Sequence, residues 1–290
     1  STFKAMVLAA ALEEGVVSDS DTFYCPGYIV VNGTRMWCSN RNGHGTQTLS
    51  EAVENSCNPA FVTIGQKLGA EKFYEYFEEF GLTEETGIDL MGEAVGTVWS
   101  EEYLTSAEGY LSLATASFGQ RFNVTPLQLI SAFASTINGG YLMQPYVVKS
   151  VTAAAGTVLQ ETQPTVVRQV VSESTSRHTA EILESEVTNG TGRNAYQAGY
   201  RIGGKTGTAE KDVTSENQEI VSFVGFAPAN DPQVIVLLYF DTPKHAEGSR
   251  TMGSTGYYIS GGQMVAPLAG ELIADVLDYL GVEQQYTEAE

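Results

Sequence analysis

Apolar positions recur at three- and four-residue spacing at the start of the chain, in Phe3, Met6, Val7 and Ala10, and stop before Gly15. That period predicts an amphipathic helix beginning at or just after Ser1, a favoured N-cap type. Residues 16–47 are rich in Gly, Pro, Asn, Asp and Ser and predict loops, with one hairpin in "VVNGTRMW" turning at Asn32-Gly33. "LSEAVENS", "PAFVTIGQKLG" and "EKFYEYFEEFG" return to helical spacing and predict short helices over about 49–80. "TPLQLISAFASTINGG" predicts a helix with Pro126 in its first turn and a stop at Gly139-Gly140, and "SESTSRHTAEILESEVTNG" a later amphipathic one.

The pattern then changes. "YRIGGKTGTA", "EIVSFVGFAPA" and "PQVIVLLYF" are β-branched and aromatic runs separated by turn residues, which predicts adjacent antiparallel strands mainly within 199–241. A closing helix follows at about 263–280. Helices first, then strands, then one helix argue for an α+β fold: an antiparallel sheet flanked by helices, with an adjoining all-helical lobe mainly within 1–190. The length suits one globular unit spanning 1–290.

Fifteen basic against thirty-five acidic residues, a net charge of -20, exclude a polyanion such as nucleic acid as the natural partner. The longest apolar runs, "VIVLLYF" among them, fall well short of the ~20 residues of a spanning helix, so any membrane attachment is expected through a segment outside this chain. Cys25, Cys38 and Cys57 are too few for a disulfide scaffold, although Cys25 and Cys38 could close a small loop in an oxidising compartment. Cys25, Cys38 and His44 lack a fourth ligand and CxxC spacing, so no metal site is expected.

Three short motifs carry candidate chemistry. In Ser1-Thr2-Phe3-Lys4, helical geometry puts residues three apart on one face, so Lys4 can accept the proton of Ser1 Oγ. A lysine serves as base only when burial or a neighbouring cation lowers its pKa. The competing reading of Ser1 is a helix cap. Ser56-Cys57-Asn58 stands at a junction of two helices, where its hydroxyl and amide point into a cleft or merely cap a helix. Ser215-Glu216-Asn217 repeats the spelling in a polar loop. Lys205-Thr206-Gly207-Thr208 lies inside a strand, where a cation, two hydroxyls and a glycine suit an extended peptide ending in a carboxylate; a plain strand with a glycine bulge is the alternative.

Together and in this order, the three motifs match the signature of serine β-lactamases and penicillin-binding proteins. With "GHGTQTLSEAVENSCNPAF", "TGIDLMGEAVG" and "SFGQRFNVTPLQLISAFASTINGG", the chain resembles the transpeptidase domain of class B penicillin-binding proteins over nearly its whole length. That family includes members acting in division, elongation and spore-cortex synthesis.

The resemblance implies a peptidoglycan D,D-transpeptidase without cofactor. Ser1 would attack the penultimate D-Ala carbonyl of a stem peptide, Lys4 would be the base, and Ser56 would relay a proton while held by Lys4 and Lys205. Asn58 would bind the substrate's peptide amide, Thr206 and Thr208 its carboxylate, and the N–H groups of Ser1 and Thr208 would form the oxyanion hole. A fixed N–H at Ser1 needs a preceding peptide bond, so the domain is expected to be N-terminally incomplete. Implied partners are stem peptides, β-lactams and proteins of a cell-wall synthesis complex at the extracytoplasmic face of the membrane.

Other classes stay open. An N-terminal-nucleophile hydrolase would use the α-amine of Ser1. A serine β-lactamase would share the motifs, but Glu-x-x-Leu-Asn is absent and Cys57 replaces the Asp of Ser-Asp-Asn. A non-catalytic β-lactam sensor would keep the fold and lose turnover.

Overall fold

A computed structural model of the chain describes residues 1–211, 218–249, 251–252 and 256–286. Ser215-Glu216-Asn217 lies outside them. Helix α1 (Lys4–Glu13) opens the chain and is buried from Lys4 to Ala11. It is not the amphipathic helix that the spacing of Phe3, Met6, Val7 and Ala10 suggests. Alanines fill its other faces, and an all-round apolar helix belongs inside a core rather than on its surface.

After α1 come strands β1 (Thr22–Cys25), β2 (Tyr28–Val31), β3 (Thr34–Trp37) and β4 (Gly45–Thr48). Strands β2 and β3 pair as the expected hairpin, with Asn32 and Gly33 both at positive φ, as a tight primed turn requires. β1 pairs with β4. Helices α2 (Leu49–Glu54), α3 (Asn58–Leu68), α4 (Ala70–Glu79), α5 (Glu101–Thr105), α6 (Tyr110–Ala116) and α7 (Pro126–Ser135) follow. Capping boxes at Thr48 and Thr125 fix the starts of α2 and α7.

Strands β5 (Tyr141–Gln144) and β8 (Thr165–Gln169) pair around the ribbon of β6 (Ser150–Thr152) and β7 (Val158–Glu161). The lobe within 1–190 is therefore not all-helical: four two-stranded ribbons punctuate its helices. Helix α8 (Glu173–Asn189) ends it.

The remaining strands β9 (Gly203–Glu210), β10 (Glu219–Ala227) and β11 (Val234–Asp241) form the antiparallel sheet in the order β11-β10-β9. Helix α9 (Ala266–Leu280) closes the fold after a π turn at Gly261–Val265. β10 is buried on both faces, and its pleat sends alternate residues to two cores. Val224 and Phe226 join the core that surrounds α1, while Val221, Phe223 and Ala227 join the one beneath α9. Among the described residues, no helix is long and apolar enough to cross a membrane.

Candidate active site

Phe3 anchors the entry to α1. Its ring lies 5.0 Å from that of Phe77 and 4.9 Å from that of Phe122, contacts worth about 0.5–1.5 kcal/mol each beyond simple burial. The turn before α1 is closed by the Lys4 N–H donating to Ser1 O (3.1 Å). This leaves Ser1 half-buried, with Lys4 one turn on and fully buried. Gly119 closes over the serine: a Cβ there would come within 3.2 Å of Ser1 N.

Lys4 Nζ stands 3.2 Å from Ser1 Oγ, 3.1 Å from Ser56 Oγ, 2.8 Å from Ser56 O and 2.7 Å from Asn58 Oδ1. An ammonium has three protons for these four oxygens; a neutral amine has two and a lone pair. Ser56 O and Asn58 Oδ1 can only accept, so they take the two N–H bonds of the neutral amine. The lone pair is then left for a serine hydroxyl, and Ser1 O–H can donate to it. Burial, and after it the nearby Lys205 cation, hold the Lys4 ammonium well below the ordinary lysine range; the Cys57, Cys38 and Glu186 charges oppose them more weakly. Both leading causes favour the form that can take a proton.

Ser56 reaches this amine through an uncommon backbone. It follows the C-cap of α2 with φ +48°, in the left-handed region that normally belongs to glycine. Its N–H donates to Val53 O (2.9 Å) and that of Cys57 to Ala52 O (2.9 Å), the paired bonds of a Schellman turn. Cys57 then becomes the N-cap of α3. The capping reading of Ser56 is thus excluded, since its hydroxyl is turned to Lys4. Asn58 is fixed at both ends, its Nδ2 donating to Trp37 O (3.0 Å) while its Oδ1 takes the Lys4 bond.

A glycine at position 56 would relieve the left-handed backbone and leave Ser56 O, Asn58 Oδ1 and Ser1 Oγ as partners for Lys4. Ser56→Gly is therefore expected to be more stable by about 1 kcal/mol in denaturant unfolding. It should also react with penicillin about 100-fold more slowly, because the proton relay is gone.

Strand β9 brings the third motif. Lys205 pairs in register with Val224 and so points to the α1 side of the sheet. Gly207 lies on the same face, where a Cβ would come 3.1 Å from Thr2 Cγ2 and 2.3 Å from Ser222 Oγ. Glycine here lets the strand close on the start of α1.

The Lys205 side chain is wholly buried against Glu186 of α8 (Nζ to Oε1, 3.1 Å). Its described hydrogen bonds go to Glu186 and Thr206, so the expected hold of Lys205 on Ser56 is not made in this structure. Thr206 is buried, sharing a 2.8 Å hydroxyl contact with Thr191, whereas Thr208 is exposed and its Oγ1 accepts from Gly261 N–H (3.3 Å).

Sequence reasoning missed Glu186 and Thr191. An acidic residue on an amphipathic helix reads as solvent-facing, yet Glu186 falls on the face of Thr179, Ile182, Leu183 and Val187, all buried. The three cysteines are free and buried. The fourth donor that Cys25, Cys38 and His44 lack in sequence is Cys57, whose Sγ converges with theirs.

The family model of the penicillin binding protein transpeptidase domain matches residues 1–259. Stage V sporulation protein D of Bacillus subtilis (strain 168) is 43% identical over 295 residues, covering 100% of this chain and 43% of that protein. The D,D-transpeptidase domain of a peptidoglycan glycosyltransferase from Eggerthella lenta superposes with a TM-score of 0.82 at 30% identity, over 97% of this chain and 65% of that one. Penicillin binding protein 3 of Mycobacterium tuberculosis, in complex with ampicillin, gives a TM-score of 0.86 at 25% identity, over 100% and 64%. The chain spans less than half the length of the sporulation protein. Its three motifs, its fold and these likenesses agree, and the chain belongs to the class B penicillin-binding protein transpeptidase family.

Proposed function

We propose that the chain is the catalytic domain of a serine D,D-transpeptidase that cross-links peptidoglycan stem peptides at the extracytoplasmic face of the membrane. The observation that carries this reading is Lys4, a buried lysine with lowered proton affinity, within 3.2 Å of both Ser1 Oγ and Ser56 Oγ. Neutral Lys4 takes the Ser1 hydroxyl proton as Oγ attacks the penultimate D-Ala carbonyl carbon. The resulting oxyanion is met by the N–H groups of Ser1 and Thr208, a type of contact worth about 3–4 kcal/mol per donor.

As the C–N bond breaks, the proton passes from Lys4 through Ser56 Oγ to the leaving D-Ala nitrogen. An amine of a second strand then attacks the acyl carbon, its proton returns by the same route, and Ser1 is freed. Thr208, exposed beside the cleft, is the hydroxyl best placed for the substrate carboxylate. Thr206 sits behind it, steadying Lys205 and Thr191.

A penicillin would acylate Ser1 by the same first step. Its opened ring stays attached, so no leaving group departs to make room for the acceptor. Intact-mass spectrometry of a polypeptide extended upstream of Ser1 tests this: a penicillin adduct mapping to Ser1 and persisting over the time course is expected. Rapid hydrolysis would instead indicate a β-lactamase, and absence of any adduct a non-catalytic domain.

The rate of that acylation should rise with pH, since only neutral Lys4 can accept the proton. The midpoint of the rising limb is expected well below the ordinary lysine value of about 10.4, because burial and Lys205 disfavour the ammonium. A limb at the ordinary value would count against a buried base.

A further inference from the structure

We propose that Arg35, Arg41 and Trp37 form a cationic subsite for the donor strand, one that binds a free carboxylate of the stem peptide upstream of its D-Ala-D-Ala end; this rests on the D,D-transpeptidase function. The chain carries 35 acidic residues, yet none lies between Asp21 and Glu51, a stretch that holds Arg35 and Arg41. In a molecule of net charge -20, that local positive excess marks where an anionic ligand can approach.

The ribbon of β2 and β3 builds the subsite. Tyr28 pairs with Trp37 and Val30 with Arg35, so these four side chains share one face. The opposite face sends Val31 and Met36 into a small core with Val62 of α3 and Ala114 of α6. The first face is thereby turned outward, with Val30, Arg35 and Trp37 exposed and Tyr28 half-buried. The Arg35 guanidinium lies 4.4 Å from the centre of the Tyr28 ring and 5.2 Å from that of Trp37. Arg41 reaches the same indole from the following turn, at 4.3 Å.

That turn is fixed. Gly43 N–H donates to Asn40 O (3.1 Å), and Asn40 Nδ2 donates to Gly43 O (2.8 Å). Gly27 admits the Arg41 carbonyl so closely that a Cβ on Gly27 would lie 2.2 Å from it.

Stacking occupies the flat face of a guanidinium and leaves its N–H groups, which lie in the plane, for a ligand. Among the described residues, Arg168 and Arg201 have carboxylate partners, whereas Arg35 and Arg41 have none. A carboxylate can take two parallel N–H bonds from one such group. Because one indole orders both arginines, less side-chain freedom is lost when a carboxylate binds. With cations over the indole, this face presents charge rather than a bare ring on which a sugar could stack.

The subsite adjoins the catalytic residues through Asn58. Its Oδ1 accepts from Lys4 Nζ (2.7 Å), and its Nδ2 donates to Trp37 O (3.0 Å). With the terminal carboxylate at Thr208 and an upstream amide at Asn58, the donor peptide leaves the reacting centre past Asn58, on the side of Trp37.

The test is acylation of the full-length protein by three probes: benzylpenicillin, a penicillin whose peptidyl side chain carries one free carboxylate, and its twin with a carboxamide in that place. The parent should react with the acid about tenfold faster than with the amide at low salt, and the preference should shrink towards unity at about 1 M salt. The double variant Arg35→Gln, Arg41→Gln should acylate with both at one rate. Trp37→Ala keeps both charges but frees them, and should cut the preference about threefold. Benzylpenicillin, which lacks the side-chain carboxylate, should react with every variant at the parent rate and so reports intact folding and Ser1 chemistry.

Equal acid and amide rates in the parent, or a preference that survives in the double variant, would overturn the subsite while benzylpenicillin labelling of Ser1 still upheld the transpeptidase. Absence of labelling by every probe would instead remove the transpeptidase function, and the subsite with it.

Discussion

Lys4→Ala is expected to react with penicillin about 1,000-fold more slowly than the parent, within the range of 10²–10⁴ that a positioned general base supplies. The substitution removes the one group among the described residues that touches Ser1 Oγ, Ser56 Oγ and Asn58 Oδ1 together. Ser1 is then an ordinary alcohol, a weak nucleophile near neutral pH. Lys4→Arg separates proton transfer from charge. Arginine keeps the positive charge and offers donors, but it does not deprotonate in proteins, so it should be as slow as the alanine variant.

Ser215→Ala should acylate at the parent rate, because the Ser56 copy of the Ser-x-Asn spelling lies on Lys4 and fills the relay role. Stopped-flow or gel-based labelling with a fluorescent penicillin measures all three. Equal labelling of Lys4→Ala and the parent would remove the proposed base from the mechanism.

The parts of the fold that were legible in the sequence are those whose burial is one-sided or whose turn chemistry is local. The Asn32-Gly33 hairpin and the capped helix after Thr125 belong to this group, while the three strands of the sheet were legible from their β-branched and aromatic runs between turn residues. Helix α1 was legible as a helix but not as a buried one, since only the surrounding chain decides that every face is covered. The ribbon β6–β7 is exposed along both strands and has no inside to alternate with, so the two-residue period that reveals a strand is missing.

The site divides in the same way. Ser1 and Lys4 were readable because a helix turn alone brings them together. That Ser56 joins them depends on a left-handed residue after α2, which a serine does not announce. The convergence of Cys57 with Cys25, Cys38 and His44 is tertiary throughout, since 19 residues separate it from its thiol neighbour Cys38. Spacing alone could not supply that fourth donor.

Glu186→Ala is expected to destabilise the protein by about 3–5 kcal/mol, the usual cost of stranding one partner of a buried ion pair. Lys205 Nζ and Glu186 Oε1 are 3.1 Å apart with both side chains fully shielded from solvent. Thr191 Oγ1 also donates to Glu186 Oε1 (2.7 Å) and would lose its acceptor. Space in the pocket is tight, for Gly192 is placed where a Cβ would come 2.1 Å from Glu186 Oε2.

Glu186→Gln asks a finer question, because the amide keeps an oxygen for Lys205 and Thr191 while removing the charge. The Glu186 carboxylate favours the ammonium form of Lys4, so its neutralisation should lower the Lys4 pKa further. The rising limb of acylation against pH should accordingly move to lower pH, whereas a purely structural role would leave its midpoint in place. Chemical denaturation of Glu186→Ala and the pH profile of Glu186→Gln read the two effects separately. A limb that moved upward would show that Glu186 does not act on Lys4 through its charge.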